Sequence, residues 1–296
     1  MENQKINLML ESLSQIEDMM ISKPSTSDVE EMRKENEVLV KTYNYKEFRE
    51  IRALNGTEGL HDLGRQYVLN EQIHGKSGSF LFFTEDLKFV VKTIRKSEFY
   101  CIRRMVEEYK IHILQNPMSL LCKILGCYSL CTRGDEEYFI VMESMLKRSG
   151  MQEIYDLKGA SVKRKGYSVS SLKEIDWIGN SKRIDLGNRK EAIISQIKND
   201  VEFLKRHRIM DYSFFVSFGW KKRESVDPFS LCKDHNHMPE NEDVHFGIVD
   251  ILTQWTFKKR MERLFHIFCC KSNSSCLNPD AYMDRFLIMI ETDVFK

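Results

Sequence analysis

One lysine and two aspartates in this chain have the residue types and the settings that phosphoryl transfer requires. Lys92 closes the apolar run of residues 89–91, while Asp211 and Asp250 lie much further along, each beside apolar residues. In such reactions a lysine holds nucleotide phosphates, one aspartate orients and deprotonates the acceptor, and another binds Mg²⁺. A carboxylate inside the apolar segment 248–252 is costly unless a metal or a partner compensates its charge. These residues together predict a kinase.

A glycine-rich turn precedes Lys92 and predicts a phosphate-binding hairpin. Residues 75–79 read GKSGS, and the aromatic run that follows leads through a turn to a return strand ending at Lys92. Glycine lets backbone N–H groups approach a phosphate closely. The letters do not form a P-loop, because Asn70 stands where that motif needs its first glycine and a strand follows where a helix is required. Glu98, early in the next predicted helix, is the expected ion-pair partner of Lys92.

Apolar spacing around these residues predicts both helices and strands. Outside the segment 256–268, helical spacing occurs in three stretches and strand-like apolar runs occur in four. The helices are expected over residues 5–21, 98–114 and 189–208, and the strands over residues 89–92, 138–142, 214–218 and 245–252. Ser27 or Asp28 is suited to cap a further helix through residues 30–31. The order of helix, aspartate, strand, strand and aspartate in the second half is that of a kinase C-terminal lobe.

Composition favours a cytoplasmic globular protein of one two-lobed domain. The 296 residues are 42% hydrophobic and 30% charged, and the net charge of +1 gives no overall attraction to nucleic acid, so no such partner is expected. The start does not resemble a signal peptide, and no apolar run approaches the roughly 18 residues of a membrane span. Eight cysteines without a C-x-x-C pair fit reduced thiols. Around Cys232, His235 and His237 the spacing is not that of a zinc finger, so a solvated loop is expected, with zinc binding as the open alternative.

The segment at residues 155–164 reads YDLKGASVKR and resembles the signature of the phosphatidylinositol phosphate kinases. That signature is Asp-Leu-Lys-Gly-Ser followed closely by Arg. Other motifs of the same family are matched in order along the chain. They lie at residues 75–79, 91–94, 116–121, 210–213 and 248–252. The resemblance spans roughly residues 45 to 296, and it is most like the type I phosphatidylinositol 4-phosphate 5-kinases.

The chain departs from the family pattern at four positions. Ala160 replaces a serine of the signature, Phe214 and Phe215 replace a leucine pair, and Ser217 replaces a glycine. None of these changes removes a residue to which the resemblance assigns a catalytic role.

The resemblance implies an α+β, two-lobed lipid-kinase fold, distantly protein-kinase-like, with antiparallel sheets and flanking helices, that uses ATP and Mg²⁺. It assigns Lys92 to the ATP phosphates with Glu98 as its helix partner, and Lys158 as a second phosphate contact. Asp211 corresponds to the catalytic-loop aspartate and Asp250 to the metal ligand. The implied nucleotide-binding residues are Gly75, Ser77, Gly78, Ser79, Lys92, Glu98, Met142 and Glu143.

Domain organisation is expected to follow the same resemblance. An N-terminal helical extension is expected over residues 1–44, an ATP-binding lobe over residues 45–144, and a catalytic lobe over residues 145–296. The catalytic lobe is expected to include an activation and specificity segment at residues 251–278. The apolar stripe at residues 5–21 is typical of a helix that packs against its own chain or joins two copies in a homodimer.

The specificity segment is where the family selects its lipid. Residues 256–268 place apolar side chains at helical spacing among basic ones, so this helix either lies in an anionic lipid interface or packs against the core. Lys259, Arg260 and Glu262 resemble the 5-kinase branch, whereas the 4-kinase branch has alanine at the glutamate position. Arg285 is a further candidate phosphoinositide contact.

The expected activity is transfer of the ATP γ-phosphate to the 5-hydroxyl of phosphatidylinositol 4-phosphate, at the cytosolic face of a membrane. Three alternatives stay open: a related kinase with another positional specificity, a catalytically weak lipid-binding scaffold, and a Ser/Thr protein kinase. Glu262 argues against the 4-kinase branch. The presence of Lys92, Asp211 and Asp250 together argues against a scaffold. The protein-kinase alternative is disfavoured because the chain has neither a His-Arg-Asp loop nor an Asp-Phe-Gly motif.

Overall fold

The computed structural model combines helices with two antiparallel sheets, and the α+β class predicted from the sequence is confirmed. It describes residues 2–22, 27–34, 38–54, 60, 79–84, 87–132, 134–146, 152–159, 164–166, 172–220, 242–256 and 277–296. The helices are α1 (Glu2–Ser22), α2 (Tyr45–Leu54), α3 (Lys96–Gln115), α4 (Glu174–Gly179), α5 (Lys190–Arg206) and α6 (Pro279–Met289). The strands are β1 (Val29–Lys34), β2 (Val38–Tyr43), β3 (Leu81–Phe83), β4 (Phe89–Ile94), β5 (Ile124–Thr132), β6 (Asp135–Glu143), β7 (Gln152–Leu157), β8 (Ser213–Trp220) and β9 (Glu242–Val249). Within the described ranges, no helix has the length and apolar character needed to cross a bilayer.

The first sheet has six strands in the order β1-β2-β5-β6-β4-β3 and carries Lys92 in β4. The predicted hairpin is confirmed where it is described, because β3 and β4 pair antiparallel with Leu81 opposite Lys92. On its other side Lys92 pairs with Ile140 of β6. Successive residues of a strand point to opposite faces. Val91 is buried in the core, so the side chain of Lys92 points to the opposite face of the sheet.

The helical extension expected over residues 1–44 is wrong in its second half, as is the helix expected after Ser27. Residues 29–43 form β1 and β2, and β2 pairs with β5 as a strand of the main sheet. Val38 and Val40 are buried while Leu39 and Lys41 are half-exposed. This alternation has the period of a strand, and β-branched residues favour that conformation.

Helix α1 is confirmed, and it packs on the first sheet of its own chain. Its apolar stripe, which includes Leu13 and Ile16, joins the hydrophobic core. Glu17 is fully buried, accepts a hydrogen bond from the Tyr128 hydroxyl and lies 3.4 Å from the guanidinium of Arg52, which is equally buried. A buried ion pair of this kind is costly unless its geometry is well satisfied. The contact therefore specifies how α1 and α2 sit against the sheet.

The second sheet has the order β7-β8-β9, and its antiparallel register brings three chain segments to one edge. Leu157 at the end of β7 pairs with Phe214 near the start of β8, and Ser213 pairs with Val249 at the end of β9. The residues just beyond β7, just before β8 and just beyond β9 are consequently neighbours. Those positions are occupied by Lys158, Asp211 and Asp250.

Helix α6 packs on the second sheet, and α5 packs against α6. The apolar face predicted for α5 is confirmed, since Ile197, Val201 and Leu204 are fully buried. Helix α6 begins at a capping residue, Asn278, whose side chain accepts a hydrogen bond from the backbone N–H of Ala281 at 2.8 Å. Aromatic residues of α6 pack edge-on against Tyr212 and Phe214 around the Asp211 turn.

Candidate active site

A cavity of about 280 Å³ lies between the two sheets. Its lining is mostly apolar but includes one lysine and four carboxylates. The lining residues are Leu81, Phe83, Val90, Lys92, Glu98, Cys122, Ile124, Ile140, Met142, Glu143, Met145, Leu146, Ile154, Asp156, Phe215, Val249, Asp250, Ile251 and Leu252. Concave, mainly apolar sites with a few convergent polar groups are typical of cofactor and substrate pockets.

Lys92 and Asp250 meet in this cavity although they are distant in the sequence. The Lys92 Nζ donates to Asp250 Oδ1 at 2.6 Å. Burial by itself would lower the pKa of Lys92, but the Asp250 carboxylate, with a smaller contribution from Glu98, outweighs it and raises the pKa above its usual value. The lysine is therefore charged at every physiological pH.

The partner predicted for Lys92 was Glu98, and in this structure that prediction is wrong. Glu98 is the third residue of α3 and its carboxylate accepts from Arg95, at 2.8 Å from the backbone N–H and 3.2 Å from Nε. A carboxylate in this position satisfies free N–H groups at the start of a helix. Glu98 nevertheless lines the same cavity, so it remains close to Lys92.

Asp250 lies one residue beyond β9, and not within an apolar strand as predicted. Its φ of 62° places it in a left-handed turn, and its side chain is 46% exposed. The argument that burial makes this carboxylate costly is therefore wrong, because solvent and Lys92 both compensate its charge. An exposed carboxylate at the wall of this cavity suits Mg²⁺, which proteins usually hold through one or two carboxylates plus substrate phosphates.

Lys158 holds the turn that carries Asp211. Its Nζ donates to the backbone carbonyl of Asp211 at 2.6 Å, and Asp211 has a φ of 63°. The backbone around Lys158 is fixed in turn, because its N–H donates to Glu174 Oε1 at 2.8 Å and its carbonyl accepts from Arg285 at 3.2 Å. The structure thus makes Lys158 and Asp211 neighbours, and Arg285 contacts the backbone of Lys158.

Asp156 is a cavity residue that the sequence analysis missed. Burial would raise the pKa of its carboxyl, but the positive charges of Lys158, Arg164 and Lys173 outweigh burial and lower it. The Arg164 guanidinium lies 3.3 Å from Asp156 Oδ2, and Asp156 is therefore ionised in the folded protein. The signal was present, since Asp156 opens the Asp-Leu-Lys-Gly signature from which only the lysine had been assigned a role.

The remaining predicted residues divide between described and undescribed parts of the chain. Met142 and Glu143, at the end of β6, line the cavity as expected of nucleotide contacts. Ser79 is buried just before β3. Phe215, noted only as a departure from the family pattern, also lines the cavity. Other predicted site residues lie outside the described residues, namely Gly75, Ser77, Gly78, Lys259, Arg260 and Glu262, together with the cluster of Cys232, His235 and His237.

Substituting Gly159 with alanine should destabilise the protein by about 2 kcal/mol. Gly159 has a φ of +62°, and an added Cβ would lie 3.0 Å from the Arg285 carbonyl oxygen and 3.2 Å from Met289 Cβ. Both the left-handed backbone and the close contact with α6 penalise a side chain there. Denaturant unfolding measures the change.

The matched control for that substitution is Gly179→Ala at the end of α4. A Cβ at this glycine would meet no atom within 4 Å, so its unfolding midpoint should hardly change. Equal stability of the Gly159→Ala variant and wild type would contradict the packing of α6 against the Lys158 turn.

Cys122 should resist alkylation in the folded protein. Burial, reinforced by the charge of Glu143, raises the pKa of its thiol to about 12, so at pH 8 only about one thiol in ten thousand is ionised. We expect iodoacetamide at pH 8 to label Cys122 only after unfolding, as followed by mass spectrometry of peptides. The partly exposed Cys131 provides an internal comparison. Rapid labelling of Cys122 in the native protein would contradict its burial.

The chain is similar in sequence to known proteins of one family. The family model described as Phosphatidylinositol-4-phosphate 5-Kinase matches residues 63–230 and 219–293. The chain is 37% identical to a probable phosphatidylinositol phosphate kinase of Dictyostelium discoideum, over 74% of this chain and 41% of that protein. It is 27% identical to phosphatidylinositol 4-phosphate 5-kinase of Plasmodium falciparum, over 87% of this chain and 18% of that protein.

A human protein, phosphatidylinositol 4-phosphate 5-kinase type-1 beta, is 25% identical over 85% of this chain and 57% of its own length. The chain thus spans less than two thirds of the length of each of these relatives. The family match covers most of the chain, including the turns that carry Lys158, Asp211 and Asp250. The chain belongs to the phosphatidylinositol-4-phosphate 5-kinase family.

Proposed function

We propose that this protein is a lipid kinase that transfers the γ-phosphate of ATP to the 5-hydroxyl of phosphatidylinositol 4-phosphate, forming phosphatidylinositol 4,5-bisphosphate. The observation that carries the proposal is the Lys92–Asp250 pair, 2.6 Å apart at the wall of a cavity between two sheets. The names of the relatives support the same activity. The pairing matters because a phosphate-binding cation and a metal-binding carboxylate must face one nucleotide.

In this proposal the two sheets are the cores of two kinase lobes, and ATP lies between them. Apolar residues such as Val90, Ile140 and Phe215 offer a surface for the adenine ring, and Met142 and Glu143 lie beside it. Lys92 neutralises the phosphates. The glycine-rich sequence at residues 75–79 is proposed to contribute backbone N–H groups to the same phosphates.

The catalytic groups act mainly through position and charge. Asp250 would hold Mg²⁺ together with oxygens of ATP, and the metal when bound neutralises charge on the phosphates. Asp211 orients the inositol hydroxyl and accepts its proton as the hydroxyl oxygen bonds to the γ-phosphorus and the bond to ADP breaks. Lys92 and Lys158 stabilise the charge that spreads over the transferring group.

Substrate choice is assigned to the specificity segment and to Arg285. Lys259, Arg260 and Glu262 are proposed to select the 4-phosphate lipid, with the basic residues resting on an anionic membrane surface. Arg285, which reaches the carbonyl of Lys158, is proposed to contact the phosphoinositide. The protein would then work as a peripheral enzyme at the cytosolic face of a membrane.

The experiment is ³²P transfer from MgATP to vesicles that carry each phosphatidylinositol monophosphate separately. We expect selective labelling of the 4-phosphate lipid, and Glu262→Ala should weaken that preference. Selective labelling of another monophosphate would support lipid kinase activity but contradict the proposed preference for phosphatidylinositol 4-phosphate. A folded protein that binds no MgATP and labels no lipid would favour a scaffold, and labelling of peptides alone would favour a protein kinase.

A further inference from the structure

Asp200, inside α5, is a fully buried carboxylate that none of the proposed catalytic steps uses. Its Oδ1 accepts from His112 Nε2 at 2.7 Å, from the Ser119 hydroxyl at 2.8 Å and from Gln196 Nε2 at 3.0 Å. Its Oδ2 accepts from the backbone N–H of Leu120 at 2.7 Å. Buried networks whose members are all hydrogen-bonded make a structure rigid. Asp200 therefore joins three parts of the chain rigidly: α3, α5 and the segment that connects α3 to β5.

That segment is also bonded to β9, the strand that ends just before Asp250. The Leu120 carbonyl accepts from the Ile248 N–H at 2.7 Å, and the Ile248 carbonyl accepts from the Cys122 N–H at 2.8 Å. Leu120 is thus held on both sides, with its N–H on Asp200 and its carbonyl on Ile248. Ile248 lies two residues before Asp250, so the joint at Asp200 reaches the turn that carries the metal-binding carboxylate.

The same helix leads to the other catalytic turn. After α5, the Ile209 N–H donates to the Leu204 carbonyl at 2.9 Å, directly before the Asp211 turn. The turns are also bonded to each other, since the Met210 N–H donates to the Thr253 carbonyl at 2.9 Å. One buried carboxylate therefore lies at the junction of the elements that support both aspartates.

We infer that Asp200 is a positioning residue that holds the Asp211 and Asp250 turns in register with each other and with Lys92. It touches neither nucleotide nor substrate, and it acts by fixing the segment at residues 119–122 between α5 and β9. The inference rests on the proposed function only for its consequence in catalysis. The structural part, that Asp200 stabilises the end of β9, stands independently.

Asparagine is the informative replacement at Asp200 because it keeps the shape of the side chain but replaces one of the two acceptor oxygens with an NH₂ donor. Its amide can present an oxygen to the three donors on one side or to the Leu120 N–H on the other, but not to both. At least one buried donor then loses its partner, and the segment at residues 119–122 should loosen. Glu191→Gln, on an exposed position of the same helix, is the matched control.

The test combines kinetics with hydrogen exchange. In Asp200→Asn we expect kcat to fall about thirtyfold and the Mg²⁺ concentration for half-maximal activity to rise about tenfold, with the KM for lipid unchanged. Amide exchange should accelerate at least tenfold in peptides covering residues 119–122 and 244–252, and remain as in wild type in β5 and β6. Glu191→Gln should match wild type in every measurement.

Exchange does not depend on the reaction, so it separates a failure of this inference from a failure of the proposed function. Unchanged exchange at residues 244–252 would overturn the inference, as would acceleration spread evenly over the chain. A lower kcat at an unchanged Mg²⁺ requirement would also overturn it, since that pattern only reports less folded enzyme. If Asp200→Asn does not fold, Ser119→Ala removes one donor and should give the same pattern at about threefold.

Discussion

Replacing Asp250 with asparagine should lower phosphoryl transfer at least a thousandfold and leave the fold intact. Asparagine tolerates the left-handed backbone at this position, where φ is 62°, and the side chain is 46% exposed, so the variant should still fold although Lys92 loses the carboxylate that offsets its burial. What is lost is the negative charge that pairs with Lys92 and would hold Mg²⁺. Metal-assisted charge stabilisation contributes several kcal/mol, and about 4 kcal/mol corresponds to a thousandfold in rate.

The measurement is initial-rate ³²P transfer to vesicles of phosphatidylinositol 4-phosphate, together with thermal unfolding of the same preparation. Asp280→Asn is the control, because Asp280 has an exposed side chain at the start of α6, and it should keep wild-type activity. An Asp250→Asn enzyme with more than a tenth of wild-type activity would remove this residue from the metal site. Loss of activity together with loss of the unfolding transition would show that the substitution disrupts folding, not metal binding.

Asp211→Asn should reduce kcat by about two to three orders of magnitude without weakening nucleotide binding. General-base catalysis contributes about a hundredfold to ten-thousandfold, and asparagine cannot accept the proton. The contact that fixes the turn is retained, because Lys158 bonds to the backbone carbonyl of Asp211 and not to its side chain. The left-handed φ of 63° is again compatible with asparagine.

The two aspartate variants should differ in how they bind MgATP. Titration with a fluorescent ATP analogue should show Mg²⁺-dependent binding in Asp211→Asn close to wild type, and a large loss of that dependence in Asp250→Asn. Comparable loss in both variants would mean that Asp211 contributes to nucleotide or metal binding, and its role as the base would have to be abandoned. Retention of kcat within tenfold in Asp211→Asn would do the same.

Much of the local structure was predictable because it repeats in short windows. Helix α5 buries one face, and that face is visible as a period in the sequence, whereas β4 and β6 bury consecutive residues on both faces and are visible as apolar runs. β1 was missed because it shows neither of these patterns. It is a polar strand at the edge of its sheet, and its conformation depends on pairing with β2.

Residue chemistry by itself selected Lys92, Asp211 and Asp250, and the motif around Lys158 indicated the family, because phosphoryl transfer needs these types beside glycines and apolar strands. The sequence did not determine which carboxylate pairs with Lys92. Spacing favoured Glu98, six residues away along the chain, since neighbours in sequence are the contacts that local reasoning can count.

Tertiary structure decided that pairing and the roles that depend on it. The antiparallel register of β7, β8 and β9 brings Lys158, Asp211 and Asp250 to one sheet edge, and the first sheet presents Lys92 across the cavity. Asp200 acquires its importance in the same way, from donors that α3 and its following segment bring to α5. Such contacts join residues far apart in sequence, and they form only when burial of the apolar faces brings the sheets and helices together.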